Sequence, residues 1–113
     1  MSHPLHVAFV WHQHQPLYKS PEGGSSSSLV TGRYRLPWVR LHGTKDYLDL
    51  ILMLERYPKL HQTVNLVPSL ILQLEDYIAG TAFDPYLEVS LTPTEQLTSG
   101  QLEFILEHFF DAN

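Results

Sequence analysis

The chain has 113 residues, of which 43% are hydrophobic and 17% are charged, and its formal net charge at pH 7 is −5. This size and composition fit one globular domain and exclude a mostly disordered chain. The Lys and Arg residues form no cluster, so we expect neither nucleic acid nor a membrane as a partner. The absence of cysteine excludes disulfides and thiolate metal sites. The N-terminal apolar run is too short for a signal peptide or a spanning helix, which predicts a cytoplasmic protein.

The first predicted element is a strand over His6 to Trp11, HVAFVW, whose continuous apolar character is typical of strands buried on both faces. HQHQP follows, and Pro16 ends the run. Residues 17–35 then form a polar connection that contains GGSSSS, which predicts a flexible loop. A connection of this length inside a domain is often functional.

The next stretch, LPWVRLHGTKDYLDLILMLERYP, predicts a helix with Thr44 as N-cap and Pro58 as its stop. Leu60 to Val67 is the second predicted strand. Pro68 then opens a helix that Gly80 closes. The order strand, loop, helix, strand, helix is the start of a βαβ architecture with a parallel sheet.

Two capping-box patterns follow a loop at Asp84, one beginning at Thr92 and one at Thr98, and each predicts a helix start. The count is then two strands and about four helical segments. Two parallel strands do not make a stable sheet, and the apolar faces exceed what this chain can cover. We therefore expect the front piece of a larger domain, with a stand-alone helical module as the alternative.

His12 and His14 alternate along the first predicted strand and therefore point to the same side. They lie at its carboxyl end, where parallel α/β sheets bind ligands. Together with Gln13 and Gln15 they either bind backbone carbonyls or face a ligand, and we favour the ligand. Asn65, near the carboxyl end of the second strand, either ties down a loop or binds the same ligand.

Two chemistries suit these side chains. His-x-His is a zinc-ligand spacing, although a third ligand such as His42 or a carboxylate would be needed. Alternatively, imidazoles and amides supply the donors and acceptors that sugar hydroxyls require. Trp38, Tyr34 and Tyr18 could stack on a sugar ring, although ordinary packing explains the two tyrosines equally well.

No catalytic group is recognisable in the sequence. Glycoside hydrolysis normally needs two carboxylates, and the acids here fall mostly inside predicted helices. None follows either predicted strand. No Ser-His-Asp pattern or Gly-rich phosphate loop is present, so the chain combines a binding constellation with no identifiable catalytic pair.

HVAFVWHQHQPLY resembles the first conserved region of glycoside hydrolase family 57, an apolar strand followed by His-Gln-Pro. LPWVRLHGTKDYLDL and VNLVPSLILQLEDY resemble two further segments, so the resemblance covers residues 6–80. It implies an α-glucan-acting enzyme such as an α-amylase, a 4-α-glucanotransferase or a branching enzyme, acting on α-glucan or maltooligosaccharide without a cofactor. It also implies the first β/α units of an incomplete (β/α)7 barrel and a retaining mechanism.

The resemblance also assigns residues. The family's glutamate nucleophile and aspartate acid/base come from later strands, outside this sequence, so we expect the isolated chain to be inactive. The matching substrate-binding positions are His12, His14 and Gln15 on the first strand, Trp38 and His42 after it, and Asn65 at the second strand's end. Related deacetylase and α-mannosidase barrels use first-strand ligands for a metal. A metal-dependent deacetylase-like segment and a non-enzymatic carbohydrate-binding module therefore remain alternatives.

Overall fold

Two short parallel strands form the sheet that carries the N-terminal motif in the computed structural model, which describes residues 3–19 and 32–110. Strand β1 spans Val10–Gln13 and pairs in parallel with β3, Thr63–Leu66. The register places His12 beside Asn65. The helices between the two strands give the predicted βαβ order, and the described chain is a mixture of helix and strand that is compatible with an α/β fragment.

The first strand begins at Val10 rather than at the predicted His6, so His12 lies inside it. Strand β3 is likewise shorter than the predicted Leu60–Val67 segment. An apolar run marks where a strand can form, but hydrogen bonding to a partner decides where it does form. Here the pairing begins where Thr63 N donates to Phe9 O at 3.0 Å.

The helix predicted between the strands is two helices, α1 at Trp38–Thr44 and α2 at Asp46–Glu55, with Lys45 between them. The prediction of Thr44 as an N-cap is wrong. Its hydroxyl donates back to Arg40 O at 2.9 Å and thereby satisfies a carbonyl in the last turn of α1. Helix α2 ends ahead of Pro58, as predicted.

Helix α3 spans Pro68–Ile78 and confirms both predicted boundary signals. Its proline occupies the first helical position, where no donor is lost. At the other end, Gly80 has φ +69°, and its N–H donates to Tyr77 O at 3.1 Å. Thr81 N donates to Asp76 O at 3.0 Å. This pair of bonds is the Schellman motif, which needs a left-handed residue such as glycine.

A second parallel pair was not predicted. Strand β2, Gly32–Arg33, lies within the connection 17–35 and pairs with β4, Ala82–Phe83. Lys19 and Tyr34 form an antiparallel bridge in the same connection. The GGSSSS segment lies outside the described residues, so its predicted flexibility stays a prediction. Strands of two residues are too short to show a hydrophobic period in the sequence.

Helix α4, Pro85–Leu91, was also missed, although Asp84 caps it and proline opens it. The capping box predicted at Thr92 is wrong, because that hydroxyl donates to Glu88 O at 2.9 Å and so closes α4. Only a 3₁₀ turn, Thr94–Gln96, follows.

The capping box predicted at Thr98 is confirmed. Its hydroxyl accepts from Gln101 N, and the Gln101 side chain accepts in return from Thr98 N. Together these bonds open helix α5, Ser99–His108. Within the described ranges, no helix combines the length and the apolar character needed to cross a membrane.

The chain divides into two compact units. The first comprises residues 1–17 and 38–75, and the second comprises 18–37 and 76–113. Val39 and Leu70 are fully buried in the first unit. In that unit a Cβ on Gly43 of α1 would lie 2.8 Å from Leu74 Cδ2, so the glycine permits the close approach of α1 to α3. In the second unit the buried apolar side chains of the described residues are Tyr34, Pro37, Ala82 and Val89.

Much apolar surface stays exposed in each unit, as the sequence predicts. In the first unit Val10 and Trp11 of β1 are 65% and 51% exposed, and α2 has no fully buried residue. In the second unit Leu106 and Phe110 are 74% and 77% exposed. The partners that these apolar faces require are absent from the described part of the chain.

The left-handed cap of α3 allows a matched pair of substitutions. Gly80→Ala should lower the free energy of unfolding by about 1 kcal/mol, because alanine is strained at positive φ. Gly100→Ala should raise it by up to about 1 kcal/mol, because that glycine lies within α5, where alanine is the better helix former. An added Cβ meets no atom within 4 Å at either position, so clashes do not enter. Urea unfolding measures both, and effects of the same sign would contradict the assigned cap.

Candidate functional site

Three exposed polar side chains share one face of the first unit's sheet. His12 and His14 have ring centroids 5.6 Å apart in an edge-to-face arrangement, which confirms that they point to the same side. Asn65 is the register partner of His12, and partners on adjacent strands project to the same face. This strand-end group lies where β1 and β3 reach their carboxyl ends.

Gln13 lies on the opposite face of β1, as alternation along a strand requires. It is only 4% exposed, and its Nε2 has no hydrogen-bond partner among the described residues. The four-residue row His-Gln-His-Gln is therefore divided between the two faces, with its imidazoles exposed and its amides buried.

Gln15 is held by the helices that follow the two strands. Its Nε2 donates to Tyr47 Oη of α2 at 3.1 Å, and its carbonyl accepts from Ser69 Oγ of α3 at 3.0 Å. The next carbonyl, that of Pro16, accepts from Gln73 Nε2 at 2.9 Å. These bonds fix the direction in which the chain leaves β1. The Gln15 amide nitrogen already donates to Tyr47. A direct ligand contact by Gln15 stays a prediction.

A second cluster of predicted residues, the α1–α2 cluster, surrounds His42. Its ring has two aromatic neighbours, Trp38 and Tyr47, with a centroid distance of 6.0 Å to each. His42 Nδ1 is 2.5 Å from Asp46 Oδ2. Trp38 and His42 are one helical turn apart on α1, whereas Asp46 and Tyr47 open α2, so the break between the two helices brings the four side chains together.

All the predicted binding residues belong to the first unit. The structure joins His12, His14 and Asn65 in the strand-end group, and it joins Trp38 and His42 in the α1–α2 cluster. Asp46 and Tyr47 were not predicted as site residues. The available signal for Asp46 was its spacing of four residues from His42, which lets acid and imidazole pair between successive turns.

A metal centre gains no support from the described residues. Among them, no group of three or more His, Asp or Glu side chains could hold a metal ion. The described residues thus supply no third ligand to His12 and His14, as a protein zinc site would require.

In the second unit, Lys19 and Tyr34 both donate to the Asp76 carboxylate, and these three residues form the Asp76 network. Asp76 Oδ2 accepts from Lys19 Nζ at 2.9 Å and from Tyr34 Oη at 2.5 Å. Burial alone would raise the pKa of Asp76, but the hydrogen bonds from Tyr34 and Lys19 outweigh it and lower that pKa. Burial, with the adjacent carboxylate, raises the pKa of Tyr34 far above its usual value. Because Tyr34 is only 3% exposed, the sugar-stacking role considered for it is wrong.

One carboxylate does follow a strand. Asp84 comes directly after β4 and was overlooked because β4 was not predicted. It is fully buried, its Oδ1 accepts from Leu87 N at 2.9 Å, and its Oδ2 accepts from Tyr77 Oη at 3.0 Å. Both oxygens are engaged within the fold, so this carboxylate is a helix cap and a poor candidate for catalysis.

A cavity of about 270 Å³ lies beside this cap in the second unit, between β2, β4 and the start of α4. Arg33 and Glu88 on its wall form an ion pair at 3.3 Å. The two acids that line it are thus an ion-pair partner and a helix cap, and they do not form the pair of available carboxylates that glycoside hydrolysis uses.

The protein-family model described as glycosyl hydrolase family 57 matches residues 8–111. Neither the curated proteins nor the solved structures include a match. The matched region contains the strand-end group and the α1–α2 cluster.

The Asp76 network predicts acid sensitivity. A carboxyl group with a lowered folded-state pKa stabilises the fold fully above its unfolded value of about 3.9, and loses this contribution as the pH falls through the folded value. Asp76→Asn should lower the free energy of unfolding at pH 7 by roughly 1–3 kcal/mol and flatten its decline below about pH 4. Urea unfolding between about pH 2 and about pH 7, a range that extends below the unfolded-state pKa, measures this.

Asp49→Asn is the matched control, since its carboxylate makes only an exposed i,i+4 pair with Lys45. This control should keep the acid dependence of the unmodified chain. The same acid dependence in the Asp76→Asn chain would contradict the network's role.

Proposed function

Because the chain belongs to glycosyl hydrolase family 57, we propose that it is the N-terminal segment of a retaining hydrolase or transglycosylase acting on α-glucans. The family match over residues 8–111 confirms the resemblance seen in the sequence, and membership implies a carbohydrate substrate. Within this proposal, β1 and β3 are early strands of an incomplete (β/α)7 barrel. The segment contributes substrate binding at the barrel mouth.

The observation that carries the proposal is the strand-end group. His12, His14 and Asn65 are exposed on one face at the carboxyl ends of paired parallel strands. Neutral imidazole and amide groups each offer both a donor and an acceptor, which suits hydroxyl groups that act in both ways. Ligands of parallel α/β folds bind at this end of the strands. The partly exposed Trp38 supplies an aromatic ring for the apolar face of a sugar.

The proposal places the catalytic glutamate and aspartate outside these 113 residues. Among the described acids, none lies in β1 or β3 or directly follows either strand. The acids with the least exposure, Asp76 and Asp84, are engaged in the network and the cap. A retaining enzyme needs one carboxyl group on each side of the scissile bond. The described residues offer no such pair at the carboxyl ends of β1 and β3.

The exposed apolar surface of β1 favours the interpretation that the sheet continues beyond two strands in the whole protein. Val10 and Trp11 leave most of their side chains uncovered on a strand type that is normally buried on both faces. Neighbouring barrel strands and their helices would cover this surface, and they would bring the catalytic acids to the same mouth.

Substitution of the strand-end histidines tests the binding role. His12→Ala and His14→Ala should each weaken maltooligosaccharide binding about 5- to 10-fold, since each removes one hydrogen-bonding group. Isothermal titration measures the dissociation constants. His61→Ala is the control, because His61 is an exposed histidine of the same unit that precedes β3 and lies outside the strand-end group. Equal losses in all three variants would contradict the assignment.

The missing acid pair predicts that the purified 113-residue chain releases no reducing sugar from soluble α-glucan and transfers no glucan chain. Reducing-end and chain-length assays at saturating substrate measure this. Turnover by the chain would show that the catalytic acids lie within it. Binding without turnover supports the proposal when the intact native protein is several times 13.0 kDa, and supports a binding module when it is 13.0 kDa.

A further inference from the structure

His42 has one ring nitrogen engaged and one available. Nδ1 lies 2.5 Å from the Asp46 carboxylate, whereas Nε2 has no hydrogen-bond partner among the described residues. The side chain is 37% exposed, so part of the imidazole is open to a ligand. The ring also contacts the rings of Trp38 and Tyr47.

We propose that Asp46 is a positioning residue that keeps the proton of His42 on Nδ1, so that Nε2 is presented as an acceptor for a ligand hydroxyl. A carboxylate only accepts hydrogen bonds, and a neutral imidazole carries a single N–H. When that N–H donates to Asp46, the lone pair is on Nε2. A carboxylate that orients a histidine through its other nitrogen acts in the same way behind metal-bound histidines.

The rings of Trp38 and Tyr47 restrict the orientation of the His42 ring. His42 and Tyr47 are stacked with an interplanar angle of 29°, and the Trp38 ring is tilted by 33° relative to that of His42. The Tyr47 hydroxyl is itself tied to the end of β1 by the amide of Gln15. The direction of Nε2 is therefore set by α1, α2 and β1 together rather than by the rotamer of His42 alone.

This arrangement selects for the chemistry of the ligand. An acceptor lone pair attracts a hydroxyl and repels the oxygens of a carboxylate or phosphate. Sugar hydroxyls meet this requirement. The identification of the ligand as a sugar rests on the proposed α-glucan function. The tautomer of His42 does not depend on that function.

Nitrogen-15 NMR of the histidine rings above pH 7.5 tests the positioning. The His42 ring should carry its proton on Nδ1, and Asp46→Ala should shift the balance toward the Nε2–H form. Asp49→Ala is the control, since it also removes a carboxylate from the first turn of α2. The Asp49 carboxylate pairs with Lys45 and not with a histidine. An Nε2–H tautomer in the unmodified chain, or no change on Asp46→Ala, overturns the proposal.

Binding tests the presentation to a hydroxyl. Asp46→Ala should weaken maltooligosaccharide binding about 3- to 10-fold, the equivalent of one hydrogen bond. In a His42→Ala background, Asp46→Ala should have no further effect, because Asp46 acts through that ring. Additive losses overturn the proposal, and unfolding curves verify that each variant folds. If the unmodified chain binds no glucan, the α-glucan function and the ligand class fail, while the NMR result still decides the role of Asp46.

Discussion

The parallel pairing of β1 with β3 is the constraint on which the candidate site depends. A shift of one residue in that register would move Asn65 to the other face of the sheet, away from His12. The pairing continues into the loops, where Val67 N donates to Gln13 O at 3.3 Å. Two strands would not form a stable sheet alone, so the helices after each strand have to hold this register in place.

Those helices hold the strand ends through polar groups rather than through a large core. The carbonyls of Gln15 and Pro16 accept from Ser69 and Gln73 of α3, and the Gln15 amide donates to Tyr47 of α2. Buried hydrogen bonds of this kind specify direction, because a misplaced strand end would leave several of them unmade. The buried amides of Gln15 and Gln73 thus orient the chain as it leaves β1, while the imidazoles of His12 and His14 stay exposed.

The division of α1 from α2 has a comparable effect. One continuous helix would carry His42 and Tyr47 round to different faces, whereas the break at Lys45 stacks them. The sequence predicts helix on both sides of this point, and it places a capping residue, Thr44, at the break. A threonine hydroxyl in the last turn of a helix donates to a backbone carbonyl, whereas at an N-cap it accepts from a backbone N–H. The residue type alone does not distinguish the two positions. The same ambiguity explains Thr92, which fits the capping-box pattern as well as Thr98 does; only at Thr98 does the structure form the reciprocal bonds.

The sequence by itself determined the elements whose signals are local. The glycine cap of α3, the proline that opens it, the capping box of α5 and the alternation of His12 and His14 each depend on the geometry of a few consecutive residues. Only the tertiary structure decided the bounds of β1, the short β2–β4 pair, and the roles of Tyr34, Asp84 and Asp46. The strand pairings and Tyr34 depend on partners distant in sequence. Asp84 and Asp46 have partners three and four residues away, but their spacing fits more than one role until the neighbouring elements are placed. Periodicity encodes which face a side chain occupies, but not which group it meets there.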